Sequence, residues 1–351
     1  MTEQSKGKYP ENHKLGRRKF VSSYQARNLL KDNPYSVLKD AYKNTIECVN
    51  VWRVIEKGGE EKKETSHCKN RWCPYCEAAK MAKAIAEMEE PFSEMGDPYF
   101  LTLTARTTDA KGLPAKIELM YSAWRTITKS EQNKRRKISG LRKAECTISP
   151  NISGHYHYHF HVLIDGKENA EWLLSVWLKE LGNLASREGQ DFKKADKGAL
   201  IELSKYFNKQ SVDADEQIER SGLDRAFKRL DVIYTAMRGK RTLQTFGSFK
   251  RAKIDQENEM IEPVQSDSLE DVPEVVTTYF YNGKGDWATK DGNLFCGWDS
   301  SKMRDENGKL FSEKYNFAEV VKPDESLGKE SKTYLDQRIW LNKWPDLQNI
   351  G

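Results

Sequence analysis

Histidine is scarce in this chain of 351 residues: there are six. There is no long apolar run, which excludes a hydrophobic transmembrane helix and a membrane partner of that kind. The opening residues, Met1-Thr2-Glu3-Gln4-Ser5-Lys6, hold no apolar core, so no secretion signal is expected there. Charge of one sign is also lacking overall. The 58 Lys and Arg residues face 53 Asp and Glu, and a net +5 does not imply a nucleic-acid partner on its own. Its distribution says more. Residues 255–274 carry no Lys or Arg and eight acidic groups, so the rest of the chain is more basic than the average. Basic clusters stand at Arg17-Arg18-Lys19, Lys134-Arg135-Arg136-Lys137 and Arg238-Gly239-Lys240-Arg241. Such clusters suit a phosphate backbone, although each alone also fits a solvated surface. Cysteines number six. With no export signal, a reducing, cytoplasmic setting is expected, where clustered thiols serve as metal ligands rather than disulfides.

What histidine there is lies together. His155-Tyr156-His157-Tyr158-His159-Phe160-His161 holds four of the six, alternating with aromatics, and Val162-Leu163-Ile164 follows. Period 2 predicts a β-strand. The imidazoles then share one face, and Tyr156, Tyr158, Phe160, Val162 and Ile164 share the other, facing a core. Same-face residues sit about 7 Å apart along a strand, near enough for two ring nitrogens to meet on one cation. The same pattern also fits a histidine-rich polar face.

Two histidines need a third ligand. Leu141–Ile148 reads as a strand, and Ser149-Pro150-Asn151-Ile152-Ser153-Gly154 as a turn, which makes a hairpin. If the turn centres near Ile152, residues whose numbers sum to about 304 oppose each other, and Glu145 faces His159 on the same side. A register slip of two would leave His157 as the competing ligand. Mixed carboxylate and imidazole ligation suits Mg²⁺ or Mn²⁺ acting as a Lewis acid, with positions left for a phosphate oxygen.

The cysteines form a second candidate centre. Cys68-x4-Cys73-Pro74-Tyr75-Cys76 places three thiols within nine residues, and Cys48 lies twenty upstream across an apparent hairpin. Four thiolates from two ends of a hairpin make a tetrahedral Zn²⁺ site with no open position. His67 could take the place of Cys48. Cys146 and Cys296 read as core residues.

A third signal lies in Glu202-x-x-x-Tyr206-x-x-Lys209. At 100° per residue Leu200, Leu203 and Phe207 form one stripe, and Glu202, Tyr206 and Lys209 form another. Lys209 could stabilise a phenolate or hold a phosphate, and Glu202 could act as general base. An amphipathic helix with a buried tyrosine fits the same spacing. Further elements are a helix around Tyr24–Lys31, one over Glu77–Glu90 that Pro91 ends, a strand at Phe100–Thr104, a helix over Lys116–Ser130, and helices at 169–182, 198–209 and 222–238. Small strands with turns are expected from Val275.

Together these residues resemble the plasmid rolling-circle replication initiators of the Rep class 1 type, in the HUH endonuclease superfamily. Phe100-Leu101-Thr102-Leu103-Thr104 is similar to the first-strand motif. His157-Tyr158-His159-Phe160-His161-Val162-Leu163 is similar to the HxHFHVLL run, in which proline is usual where Tyr158 stands. Glu202, Tyr206 and Lys209 match the nucleophile helix. Gly239-Lys240-Arg241 and Phe246-Gly247 also fit. The likeness spans roughly residues 48–250.

The resemblance implies an α+β fold: an HUH endonuclease domain with a central antiparallel, ferredoxin-like sheet flanked by helices, preceded by a small zinc-ribbon-like element. It implies four stretches: a basic arm and helix at 1–47, the zinc-ribbon-like knuckle and helix at 48–95, the nicking and joining domain at 96–250, and an acidic linker with an accessory region at 251–351. The implied substrate is plasmid origin DNA. His159 and His161 would hold the metal, Tyr206 would attack to leave a 5′-phosphotyrosine and a 3′-OH primer, and Glu202 would assist the terminating step. No second tyrosine stands beside Tyr206, where Lys205, Asn208, Lys209 and Gln210 are found, so the one-tyrosine form is implied. Host helicase and DNA polymerase are the expected partners. The residues leave two rivals: a single-tyrosine transposase or mobilisation relaxase, and a non-catalytic zinc-ribbon DNA-binding regulator.

Overall fold

The computed structural model describes residues 12–149, 151–195, 223–250 and 275–297. It is α+β, with two antiparallel sheets and helices packed on them. The chain opens with α1 (Asn12–Asp32) and α2 (Lys39–Ile46). The helix expected around Tyr24–Lys31 is therefore three turns and more longer, and Phe20, Tyr24 and Leu29 along it are all buried in the main core. A hairpin follows, β1 (Val51–Lys57) and β2 (Glu60–Thr65). Then comes α3 (Pro74–Ser93), with Cys73 at its N-cap and Pro74 in the first turn, where a missing N–H costs nothing. Pro91 sits inside its last turn rather than ending it at Glu90.

The second sheet holds the histidine strand. Its elements are β3 (Pro98–Thr104), β4 (Thr108–Asp109), α4 (Leu113–Lys129), α5 (Glu131–Arg136), β5 (Gly140–Ile148), β6 (His155–Asp165), α6 (Lys167–Leu181), β7 (Asp191–Lys194), α7 (Leu223–Ala236) and β8 (Leu243–Phe246). The strand order is β7-β3-β6-β5-β8, with β4 beside the start of β6. The unit β3–α4–β5 straddles β6, and β6–α6–β7 straddles β3. That double split is the ferredoxin-like βαββαβ arrangement. The edge strands β7 and β8 carry no clear period and were not expected from the sequence.

Alternation on β6 decides which face is which. Phe160 meets Trp124 of α4 at 5.9 Å and Trp177 of α6 at 5.7 Å between ring centres. Tyr156, Tyr158, Val162 and Ile164 join the same core. Each such aromatic or aliphatic side chain contributes about 1.5–3 kcal/mol by leaving water. On the opposite, histidine-bearing face lies α3, whose Ala84 and Met88 pack on Phe100, Leu141 and Leu163. The chain leaves β8 at Gly247, whose φ of 66° and close approach to the Ile138 carbonyl leave no room for a Cβ.

The strands expected from Val275 are present as β9 (Val275–Tyr281) and β10 (Trp287–Ala288). They complete the first sheet, in the order β10-β9-β1-β2. Trp52 stacks on Phe295 at 5.2 Å, and Trp287 Nε1 donates to the Val49 carbonyl at 2.6 Å. These residues are 238 apart in sequence, a pairing that no local pattern shows. Among the described residues no helix is long and apolar enough to cross a membrane.

Candidate metal centres

The hairpin β5–β6 has the register the turn predicts: Glu145 opposes His159, and Lys143 opposes His161. Opposed residues point the same way. The Nε2 atoms of His159 and His161 stand 3.1 Å apart. Glu145 Oε2 lies 3.3 Å from His161 Nε2 and 3.7 Å from His159 Nε2. All three side chains are buried. Two ring nitrogens and a carboxylate at such distances repel through their lone pairs unless a cation or proton joins them. Cis ligands on an ion with ~2.1 Å bonds are about 3 Å apart, so the donor set fits a Mg²⁺- or Mn²⁺-sized ion. Both Glu145 oxygens are buried without a hydrogen-bond partner, as an unfilled ligand would be.

The rings are held from behind. Nδ1 of His159 donates to the His157 carbonyl at 3.4 Å, which leaves its Nε2 lone pair facing inward. Nδ1 of His161 meets the Thr102 hydroxyl at 3.3 Å, and Phe100 packs on the same ring at 5.5 Å. Thr102 faces His161 across β3–β6. Outer contacts of this kind fix the orientation of metal-binding imidazoles. Thr102 was not singled out in the sequence, although the alternation of the first-strand motif already places it on the histidine face. His157 stacks on His159 at 4.9 Å but lies outside the converging atoms, and His155 caps the strand near the turn.

Burial sets the charge balance. It lowers His161 to about 4 and His157 to about 4, so both favour the neutral, ligand-competent form. Burial alone would push the Glu145 carboxyl up. The Lys143 ammonium, 3.8 Å away, and contacts with the two imidazoles outweigh it and hold the group well below the usual carboxylate range.

The second cluster comprises Cys48, Cys68, Cys73 and Cys76, with sulfurs all within 4.8 Å of one another. Cys48 follows α2, and Cys68 follows β2. Cys73 and Cys76 open α3. The Cys48–Cys76 and Cys68–Cys76 sulfur separations are 3.4 and 3.7 Å. A tetrahedral Zn²⁺ with Zn–S bonds near 2.3 Å places its sulfurs about 3.8 Å apart, so the four thiols fit that ion. Two backbone N–H groups, of Cys68 and Asn70, donate to sulfurs of the cluster at 3.4 Å each. Left-handed residues turn the backbone at Val49 and Lys69, next to Cys48 and Cys68. Lys19 is buried behind the cluster. Burial lowers its pKa to about 8, and the nearby thiols Cys48 and Cys73 partly restore it. His67 stands beside the cluster, with Nδ1 3.9 Å from Cys76 Sγ, while Cys48 occupies the fourth corner.

Glu202, Tyr206 and Lys209 lie outside the described residues, as do the helix expected at 198–209 and the acidic stretch 255–274.

Comparison with known proteins bears on the same segment. Residues 60–169 match a family described as Replication protein. That span holds Cys68, Cys73, Cys76, Glu145, His159 and His161. Curated relatives, each named Protein rep, include one from a Bacillus species that is 26% identical over 183 residues, covering 48% of this chain and 55% of the relative. Another, from Streptococcus pneumoniae, is 25% identical over 214 residues, covering 52% of this chain and 67% of the relative. A third, from Staphylococcus aureus, is 28% identical over 193 residues, covering 48% of this chain and 80% of the relative. The chain spans about half the length of the curated relatives that it matches first. No solved structure matches it.

Proposed function

We propose, for a chain whose residues 60–169 match the replication-protein family, that it initiates plasmid rolling-circle replication by nicking one DNA strand at the origin. The observation that carries this reading is the buried Glu145–His159–His161 cluster in the middle of a ferredoxin-like sheet. Three donors of one carboxylate and two imidazoles leave open positions on a hard cation, which suits a phosphate oxygen. Bound there, Mg²⁺ or Mn²⁺ supplies Lewis-acid polarisation of the scissile phosphate.

The chain's own residues would do the rest. The Tyr206 oxygen attacks phosphorus, the bond to the 3′-oxygen breaks, and that oxygen takes a proton. The products are a 5′-phosphotyrosine and a free 3′-OH, which primes a host polymerase behind a host helicase. Lys209, three residues on from Tyr206 in the sequence, stabilises the phenolate or the phosphate. Glu202 acts as general base for the water or hydroxyl that later resolves the adduct. The four-cysteine cluster, filled by Zn²⁺, has no open position and takes no part in the chemistry. On this reading residues 96–250 nick and join within an HUH fold, and residues 48–95 brace them.

The test is a covalent-adduct assay. The full chain is incubated with single-stranded origin DNA and Mn²⁺ and run on a denaturing gel, with an EDTA lane and Tyr206→Phe alongside. A shifted band that needs metal and disappears in Tyr206→Phe is expected. DNA binding with no adduct across several candidate origins would leave a non-catalytic DNA-binding regulator as the better account.

A further inference from the structure

The helix α3 starts at the cysteine cluster and packs on the sheet that carries the Glu145–His159–His161 cluster. Cys73 and Cys76 sit at its start. Glu77, Ala84 and Met88 follow at i, i+7 and i+11, on one stripe. Ala84 and Met88 cover Leu141 on the histidine-bearing face of β5. Lys143 and Glu145 are the next same-face residues along β5, and the end of α3 leads into Pro98, which pairs at the Gly140 end of the sheet, so the start of the stripe, Glu77, falls toward them. Glu77 is buried, and its Oε1 has no hydrogen-bond partner, while Oε2 lies 3.7 Å from the exposed Lys80 ammonium. Lys143 is 2% exposed, and its ammonium is 3.8 Å from Glu145 Oε2. Burial pushes the Glu77 carboxyl up, while Lys80, Arg71 and Lys143 pull it back.

We propose that Lys143 is the resident counter-cation of the Glu145–His159–His161 site, and that Glu77 is the positioning residue that draws its charge away when a divalent ion enters. The inference rests on the reading of that site as a cation centre. A buried carboxylate without a cation is costly, and Lys143 supplies one beside the two imidazoles. An incoming ion of charge +2 then meets a like charge a few ångströms from its carboxylate ligand. Glu77, on the opposing helix, offers that ammonium a second buried carboxylate. The affinity of the site is therefore set by three charges, of which only Glu145 would touch the metal.

The probe is Mn²⁺ alone, titrated into the full chain and read as free Mn²⁺ by electron paramagnetic resonance, with His161→Ala as the baseline. Glu77→Gln is expected to weaken binding about tenfold, and Lys143→Met to strengthen it by a similar factor. In the Lys143→Met background, Glu77→Gln is expected to change nothing, since its effect runs through the ammonium. Should Lys143→Met fold poorly, Lys143→Gln carries the same expectation. Equal weakening by Glu77→Gln in both backgrounds, or weaker binding in Lys143→Met, would reduce both residues to packing and overturn the proposal. Binding in the unmutated chain no tighter than in His161→Ala would instead overturn the cation centre itself, and the proposal with it.

Discussion

The two clusters of candidate ligands differ in almost every respect. The cysteine cluster collects four soft sulfurs from three chain segments, and backbone N–H groups brace two of them. Zn²⁺ held by these thiols would close a tetrahedron and tie α2, β2 and α3 together. The Glu145–His159–His161 cluster collects three hard donors from one hairpin whose strands are already paired over nine positions. A cation held there would join no further chain segment and would keep open coordination positions. A centre that holds the fold recruits distant segments, whereas a centre that meets a substrate is built on a scaffold that stands without it.

That contrast can be broken most sharply at Cys73. Cys73→Ser should release zinc and lower the melting temperature steeply, because binding of a structural zinc is worth on the order of 10 kcal/mol and is part of the folding energy. Zinc content and thermal melts check this. An unchanged melt would show that the thiols are not structural. His161→Ala should do the reverse. Mn²⁺ binding is expected to vanish while the melt stays close to that of the unmutated chain, since the hairpin pairing remains. A large fall in melting temperature with retained Mn²⁺ binding would exchange the two roles.

Smaller effects sharpen the comparison. Thr102→Val keeps shape but removes the hydroxyl beside His161 Nδ1, and about a tenfold loss of Mn²⁺ affinity with no change in zinc content is expected. Identical affinities by the same titration would mean that the ring is held by Phe100 and packing alone. The least is expected from Lys80→Ala. Its ammonium is largely exposed, 3.7 Å from Glu77, and such pairs contribute about 0–1 kcal/mol. Neither metal titration should move. A shift in Mn²⁺ affinity as large as that of Glu77→Gln would mean that Glu77 acts through Lys80 rather than Lys143.

Much of this arrangement was legible in the residues. Period 2 over His155–Ile164 sorts imidazoles from aromatics, and Phe160 does face the core. The turn residues after Ile148 centre the hairpin, and they bring Glu145 opposite His159. The cysteine spacing marks three of the four thiols. These readings succeed because each depends on local geometry, a strand's alternation or a tight turn, over a dozen residues or fewer.

What was not legible depends on distant segments meeting. Nothing near Val275 reveals that it pairs with the hairpin beside the cysteines, since strand pairing is chosen by burial and not by a code within the strand. Thr102, Lys143 and Glu77 carry ordinary polar side chains in unremarkable contexts. Alternation along β5 alone sets Lys143 beside Glu145, but only the docking of β3 and α3 on that sheet brings Thr102 and Glu77 to the same face. The local alphabet thus names the donor atoms and the hand of each face. Their surroundings, which hold each ring and balance each charge, come from contacts between residues far apart in the chain, whose loop-closure cost is offset only when the whole core forms.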